Sequence, residues 1–177
     1  MEQITMTTPD VNGTADSTMS VHAPQTKDAT TDMAWLLHDF ATTVPGVTHA
    51  LLLSRDGLKL LDSGLNRNWA DELAAAFCGL ASLAHNITGP TRKKRPTQQI
   101  LFERDDALFF LQSAGRSAAF ETTLGSSRKE VDTVLGVISR PDAEAGTVGF
   151  EMERLINRFA PYMTIPVRHP AASNDAR

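Results

Sequence analysis

Five histidines, one cysteine and a run of four basic residues have the most chemical reach in this 177-residue chain. His22, His38, His49, His85 and His169 fall in different expected elements, with neither an HExxH pair nor any other metal-ligand spacing. There is no G-x-x-x-x-G-K-[ST] loop and no G-x-G-x-x-G turn, so nucleotide hydrolysis and dinucleotide binding have no motif. Cys78 lies among alanines without a base at hand, which marks a small packing residue rather than a nucleophile. Gly125-Ser126-Ser127-Arg128 offers backbone N–H groups to an anion, but a flexible hairpin loop is the simpler reading. No catalytic residue, metal or cofactor is expected.

Arg92, Lys93, Lys94 and Arg95 form the one sharp charge feature. Nucleic-acid binding would call for interleaved aromatic residues or further basic stripes, and neither is present. A solvated loop is the default reading, and a contact site for an acidic partner the alternative. Asp56-Gly57, between two apolar runs, is a hairpin signal, because a type I′ turn needs positive φ at both central residues. No second acid, histidine or cysteine lies near Asp56 in sequence, so this corner is read as structural.

Lys+Arg 17 against Asp+Glu 21 gives a net charge of −4, with no global pull toward nucleic acid or an anionic membrane. One cysteine excludes an internal disulfide framework and fits a reducing, cytoplasmic setting. The first residues lack the basic start and apolar block of a signal peptide. The uncharged stretch 73–91 is too rich in Ala, Gly and Ser to span a membrane.

The elements that position these residues follow from periodicity. Residues 1–31 hold no leucine and no aromatic side chain, which predicts a disordered arm; 166–177 reads as a second tail. The folded domain is placed at 32–165. Helix one is expected over 32–43, capped by Asp32 and striped by Met33, Leu36, Leu37, Phe40 and Val44. A strand over 47–54 and its return over 58–61 flank the Asp-Gly corner. Helix two is expected over 68–86 with Trp69, Leu73, Phe77, Leu80, Ala84 and Ile87 as its stripe. Burying its five large side chains would be worth roughly 7–15 kcal/mol gross. Strands then read QQILFER, ALFFLQSAG and TVLGVISRP, with 116–132 ambiguous between strand extension and mobile loop, before a last helix over 144–162. The order α-β-β-α-β-β-β-α implies an α/β (α+β) domain, a five-stranded antiparallel sheet with helices on both faces.

Helix two carries a second strip, Ala75, Cys78, Gly79 and Ser82, made only of small residues. Such a strip lets another helix approach closely.

With this order of elements, MAWLLHDFATTVPGVTHALLLSRDGLKLL resembles the opening of the bacterial Roadblock/dynein light-chain family, which includes MglB-like and conservon-type proteins. Trp35, Leu36, Leu37, Pro45, Gly46, Val47, His49, Ala50, Ser54, Asp56, Gly57 and Leu58 carry the match. ADELAAAFCGLASLA is similar to the family's second helix, and GTVGFEMERLINR to the start of its last, with Phe150 in place of Tyr. The resemblance implies a Roadblock/profilin-like fold and a non-catalytic homodimer that binds a small Ras-like GTPase and modulates its nucleotide cycle. In the conservon-type setting it also implies a sensor-kinase-like neighbour. The dimer would pair second helices through Ala75, Cys78, Gly79 and Ser82 and align third strands edge to edge. The partner-facing residues would be Arg67, Asp71, Glu72 and His85 with the basic loop Arg92, Lys93, Lys94 and Arg95. The competing class is a small-molecule sensor of PAS or GAF type; against it, no polar cluster in the sequence marks a cavity. An enzyme is the third reading.

Overall fold

A computed structural model describes residues 26–120 and 130–164. Each strand of the inner sheet carries large apolar side chains on both of its faces, which forces helices onto both sides. In β1 (Val47–Ser54), Ala50 and Leu52 face one core cluster while Leu51 and Leu53 face the other. β4 (Leu108–Ser117) divides in the same way, Phe110 to the first cluster and Phe109 and Leu111 to the second. β5 (Val131–Ser139) sends Leu135 and Val137 one way and Val134 and Ile138 the other. With β2 (Lys59–Asp62) and β3 (Gln99–Glu103), these strands form one sheet in the order β2-β1-β5-β4-β3. All neighbours are antiparallel, with Leu52 opposite Leu135 and Phe110 opposite Val137 at the centre. Three helices complete the expected order: α1 (Thr26–Thr43), α2 (Arg67–Asn86) and α3 (Ala145–Met163).

The first cluster is built by α1 and α3. Met33, Leu37 and Phe40 from α1 meet Val148, Met152, Leu155, Phe159 and Met163 from α3, all buried. The structure corrects the start of helix one. α1 begins at Thr26, not Asp32, because Ala29, four residues before Met33 and fully buried, carries the packed stripe back one more turn. Packing therefore orders the last residues of a segment whose composition read as an arm. The rest of that arm, the tail from 165 onward, His22, His169 and the Gly125–Arg128 loop lie outside the described residues.

β5 starts at Val131, two residues earlier than expected, because Arg116 pairs with Asp132 and Ser117 with Val131 across the ladder. Part of the ambiguous stretch 116–132 is thus strand; 121–129 lie outside the described residues.

The Asp56-Gly57 corner is a turn, but of another type than expected. Among the described residues only Arg92 has positive φ without being glycine, so Asp56 does not adopt the conformation a type I′ turn demands. Instead the Gly57 N–H donates to the Ser54 carbonyl at 3.0 Å, the Ser54 N–H to the Leu58 carbonyl at 2.8 Å, and Gly57 alone sits at φ 87°. That is a three-residue loop, Arg55-Asp56-Gly57, closed by a left-handed glycine. Three residues rather than two displace the returning strand, consistent with the register shift between Leu52 and Leu53.

Candidate partner-binding surface

Among the described residues, α2 is the one helix on its face of the sheet. Asn66 caps it, its side-chain oxygen accepting from the Asn68 and Trp69 N–H groups at 3.1 and 3.4 Å. Ala70, Ala74 and Phe77 are its buried residues, with Leu73, Cys78 and Leu80 packed partly against the same cluster. Phe77 fits because Gly136 of the central strand has no side chain. A Cβ there would lie 2.6 Å from the Phe77 ring.

This corrects the expected stripe. Ile87 is 68% exposed and Trp69 39%, so Phe77 is the one large apolar side chain that α2 buries fully. Trp69 is fixed edge-on against His49 of β1, with ring centroids 4.9 Å apart. Burial lowers the His49 imidazole from its ordinary value. Leu83 is also 68% exposed. At 100° per residue, Ala76, Leu80, Leu83 and Ile87 line one outer flank of α2.

The small strip proves divided. The Cys78 thiol donates to the Arg55 carbonyl at 2.8 Å, and a Cβ on Gly57 would meet Cys78 Cβ at 3.5 Å and Ala75 Cα at 3.7 Å. Cys78 therefore seats the hairpin corner of its own chain with the Ala75 backbone beside it, while the Ala75 side chain is exposed. Nothing lies within 4 Å of a Cβ built on Gly79, which is exposed, and Ser82 is half-buried beside it.

The expected partner-facing residues fall into two groups at opposite ends of the helix. Arg67, Asp71 and Glu72 are exposed on its first two turns. His85 stands half-buried in the last turn, next to the basic loop. From Asp71 to His85 the axis runs about 21 Å at 1.5 Å per residue. The basic loop is a pinned turn rather than a loose strand of charge. Thr88 and Lys94 form an antiparallel bridge, the Arg92 N–H donates to the Gly89 carbonyl at 2.8 Å, and Lys94 Nζ reaches Asn86 Oδ1 at 2.8 Å. Arg92 is held at φ 55°, uncommon for a side chain of its size. Arg92, Lys93 and Arg95 point into solvent with no partner among the described residues.

The strand at the outer edge beyond β4 is β3, whose free backbone edge lies opposite the side paired to β4. An edge strand of alternating exposure beside an apolar helix flank is a surface that soluble proteins normally cover. Among the described residues no group of three or more His, Cys, Asp or Glu side chains is placed to hold a metal. No helix among them is long and apolar enough to cross a membrane.

The family model for the Roadblock/LC7 domain matches residues 33–120. A solved Roadblock/LC7 domain from Streptomyces avermitilis is 31% identical, covering 75% of this chain and 98% of that one, with a TM-score of 0.62. This chain belongs to the Roadblock/LC7 family. A second Roadblock/LC7 domain from the same organism is 28% identical over 71% of this chain and 96% of that one, with a TM-score of 0.53. The gliding protein MglB from Thermus thermophilus shares the fold at 16% identity, covering 76% of this chain and 90% of that one, with a TM-score of 0.58. No curated protein matches the chain.

Proposed function

We propose that this Roadblock protein is a cytoplasmic, non-catalytic homodimer that regulates or adapts a small Ras-like GTPase through the outer surface of α2. The observation that carries this reading is the exposed flank of α2, with Leu83 and Ile87 each 68% exposed, on a domain of the Roadblock/LC7 family. The similarity to that family is what makes a GTPase the expected partner.

Charge supports an antiparallel pairing of the two helices. α2 begins with Arg67, carries Asp71 and Glu72 in its second turn, net acidic by one, and is basic past its end, at Arg92, Lys93 and Arg95. A two-fold axis across the helix sets the acidic end of one copy beside the basic end of the other. Gly79 and Ser82 give the crossing point its small side chains, while Leu83 and Ile87 supply the apolar contact. Exposed Ala75 adds to that small surface, whereas Cys78 serves the corner. Pairing β3 to β3 would also remove the exposed edge of the sheet.

Regulation then works by differential binding: the dimer shifts the switch loops of the GTPase only as far as it prefers one of their states. The test is titration of a Ras-like GTPase from the same genome, loaded in turn with GDP and a non-hydrolysable GTP analogue. Tighter binding of one state supports the proposal; no binding of either refutes it.

A further inference from the structure

A cleft of about 290 Å³ opens beneath the C-terminal half of α2, where that helix leaves the sheet uncovered. Residues from α2, the β1–β2 corner, β3, β4 and β5 converge there, so no short stretch of sequence announces it. Its floor is apolar: Leu111 and Val134 belong to the α2-side core and Ile100 packs against it. Its rim carries polar side chains from His85, Gln98 and Ser113 and charged ones from Arg55, Arg116 and Asp132.

Arg55 decides what such a cleft takes. Its backbone is clamped on both sides, the N–H donating to the Asp132 carbonyl at 2.9 Å and the carbonyl accepting from the Cys78 thiol at 2.8 Å. Its guanidinium, on a half-buried residue, has no hydrogen bond or ion pair with any described residue. The carboxylate of Asp132, which also lines the cleft, is paired with Arg116, with Nε–Oδ1 at 3.2 Å, so these two charges offset each other and Arg55 is left over. A half-buried residue whose guanidinium has no anion among the described residues, beside an apolar floor, complements a carboxylate joined to a hydrocarbon body.

We propose that this cleft is a binding site for a small amphiphilic carboxylate, its headgroup on Arg55 and its apolar body on Ile100, Leu111 and Val134. The cleft's volume is at the small end for ligand pockets, which begin at roughly 300 Å³, and suits a short-chain carboxylate. The site is separate from the outer flank of α2, and no GTPase enters its test.

Octanoate, which has a carboxylate and a chain of this size, is the probe, with octanol and acetate as partial mimics. Titration of the full chain, followed by calorimetry and amide chemical shifts, should show saturable octanoate binding at one site per chain, with shifts at Ile100, Leu111 and Val134. Octanol and acetate should each bind at least about tenfold more weakly, and Arg55→Gln should weaken octanoate by at least about tenfold without weakening octanol. Ser113→Leu, which fills the rim without touching the charge, should abolish binding of both. Absence of saturable octanoate binding overturns the proposal. So does equal affinity in Arg55→Gln, or octanol binding as tightly as octanoate. Should Arg55→Gln fail to fold, binding that survives Ser113→Leu would refute the site.

Discussion

The Cys78 thiol donates a hydrogen bond to the carbonyl oxygen of Arg55, 2.8 Å away, and ties the middle of α2 to the β1–β2 corner. Gly57 lies under the same contact at φ 87°, and a Cβ built on it would be in van der Waals contact with Cys78 and Ala75. The only cysteine of the chain thus acts as a hydrogen-bond donor of the right size. Gly57→Val should cost about 1–3 kcal/mol, since a β-branched residue is strained at positive φ. Asp56→Asn should leave stability unchanged within about 0.5 kcal/mol. Urea melts of the two variants check this; an equal loss in both would contradict the assignment of strain to Gly57.

Gly136 and Phe77 make a second such pair. Phe77→Ala should cost about 3–5 kcal/mol through the cavity it leaves. Gly136→Ala should cost about 1–3 kcal/mol, because its methyl would sit 2.6 Å from the Phe77 ring. The two losses should not add. Once Phe77 is alanine, the methyl has room, and the double variant should be more stable than the sum of the singles implies. Strict additivity in a double-mutant cycle would show that the two sites are not coupled.

The layered fold was legible because it rests on periodicity: Leu51 and Leu52, or Phe109 and Phe110, could be both apolar only in strands covered on two sides. The start of α1 was not legible, since Ala29 is ordered by the groups it packs against rather than by its own composition. The stripe of α2 misled for a related reason. Spacing showed Trp69, Phe77 and Ile87 on one side of a helix, but a single helix on a five-stranded sheet turns only part of its apolar circumference inward. The cleft was invisible, because Arg55, His85, Gln98 and Ser113 meet only after folding.

Asp62 sets an acid dependence. Burial pushes its carboxyl upward, but the Lys59 ammonium at 2.8 Å and the Gly64 and Leu65 N–H groups at 2.9 Å outweigh that, so the group lies below its ordinary value. A depressed folded-state value means that its stabilisation is fully present above the unfolded value of about 3.9 and is lost as pH falls through the folded one. At pH 7, Asp62→Asn should be less stable than the native chain by on the order of 1 kcal/mol. The gap should close in acid. A gap of constant size from pH 7 down to pH 2 would contradict this account of Asp62.

If the protein acts by reshaping its partner, no arginine of its own completes a GTPase active site. Arg67, Arg92 and Arg95 are the exposed candidates on the proposed surface. Single alanine variants should each retain stimulated hydrolysis within about tenfold, whereas an inserted arginine finger is worth roughly 10³–10⁵. A thousandfold loss in one variant, by single-turnover assay, would identify that finger and overturn the non-catalytic reading.

In the proposed assembly the outer flank of α2 joins two copies and, with them, presents the surface a GTPase meets. Sedimentation equilibrium of the native chain and of Leu83→Asp, each alone and with a Ras-like GTPase from the same genome, tests it most directly. Leu83 is 68% exposed, so the substitution should leave the fold intact. The native chain should sediment as a dimer that carries the GTPase. Leu83→Asp should sediment as a monomer that does not, because one change enters a two-fold interface twice. A Leu83→Asp protein that remains a tight dimer and still carries the GTPase would contradict the account.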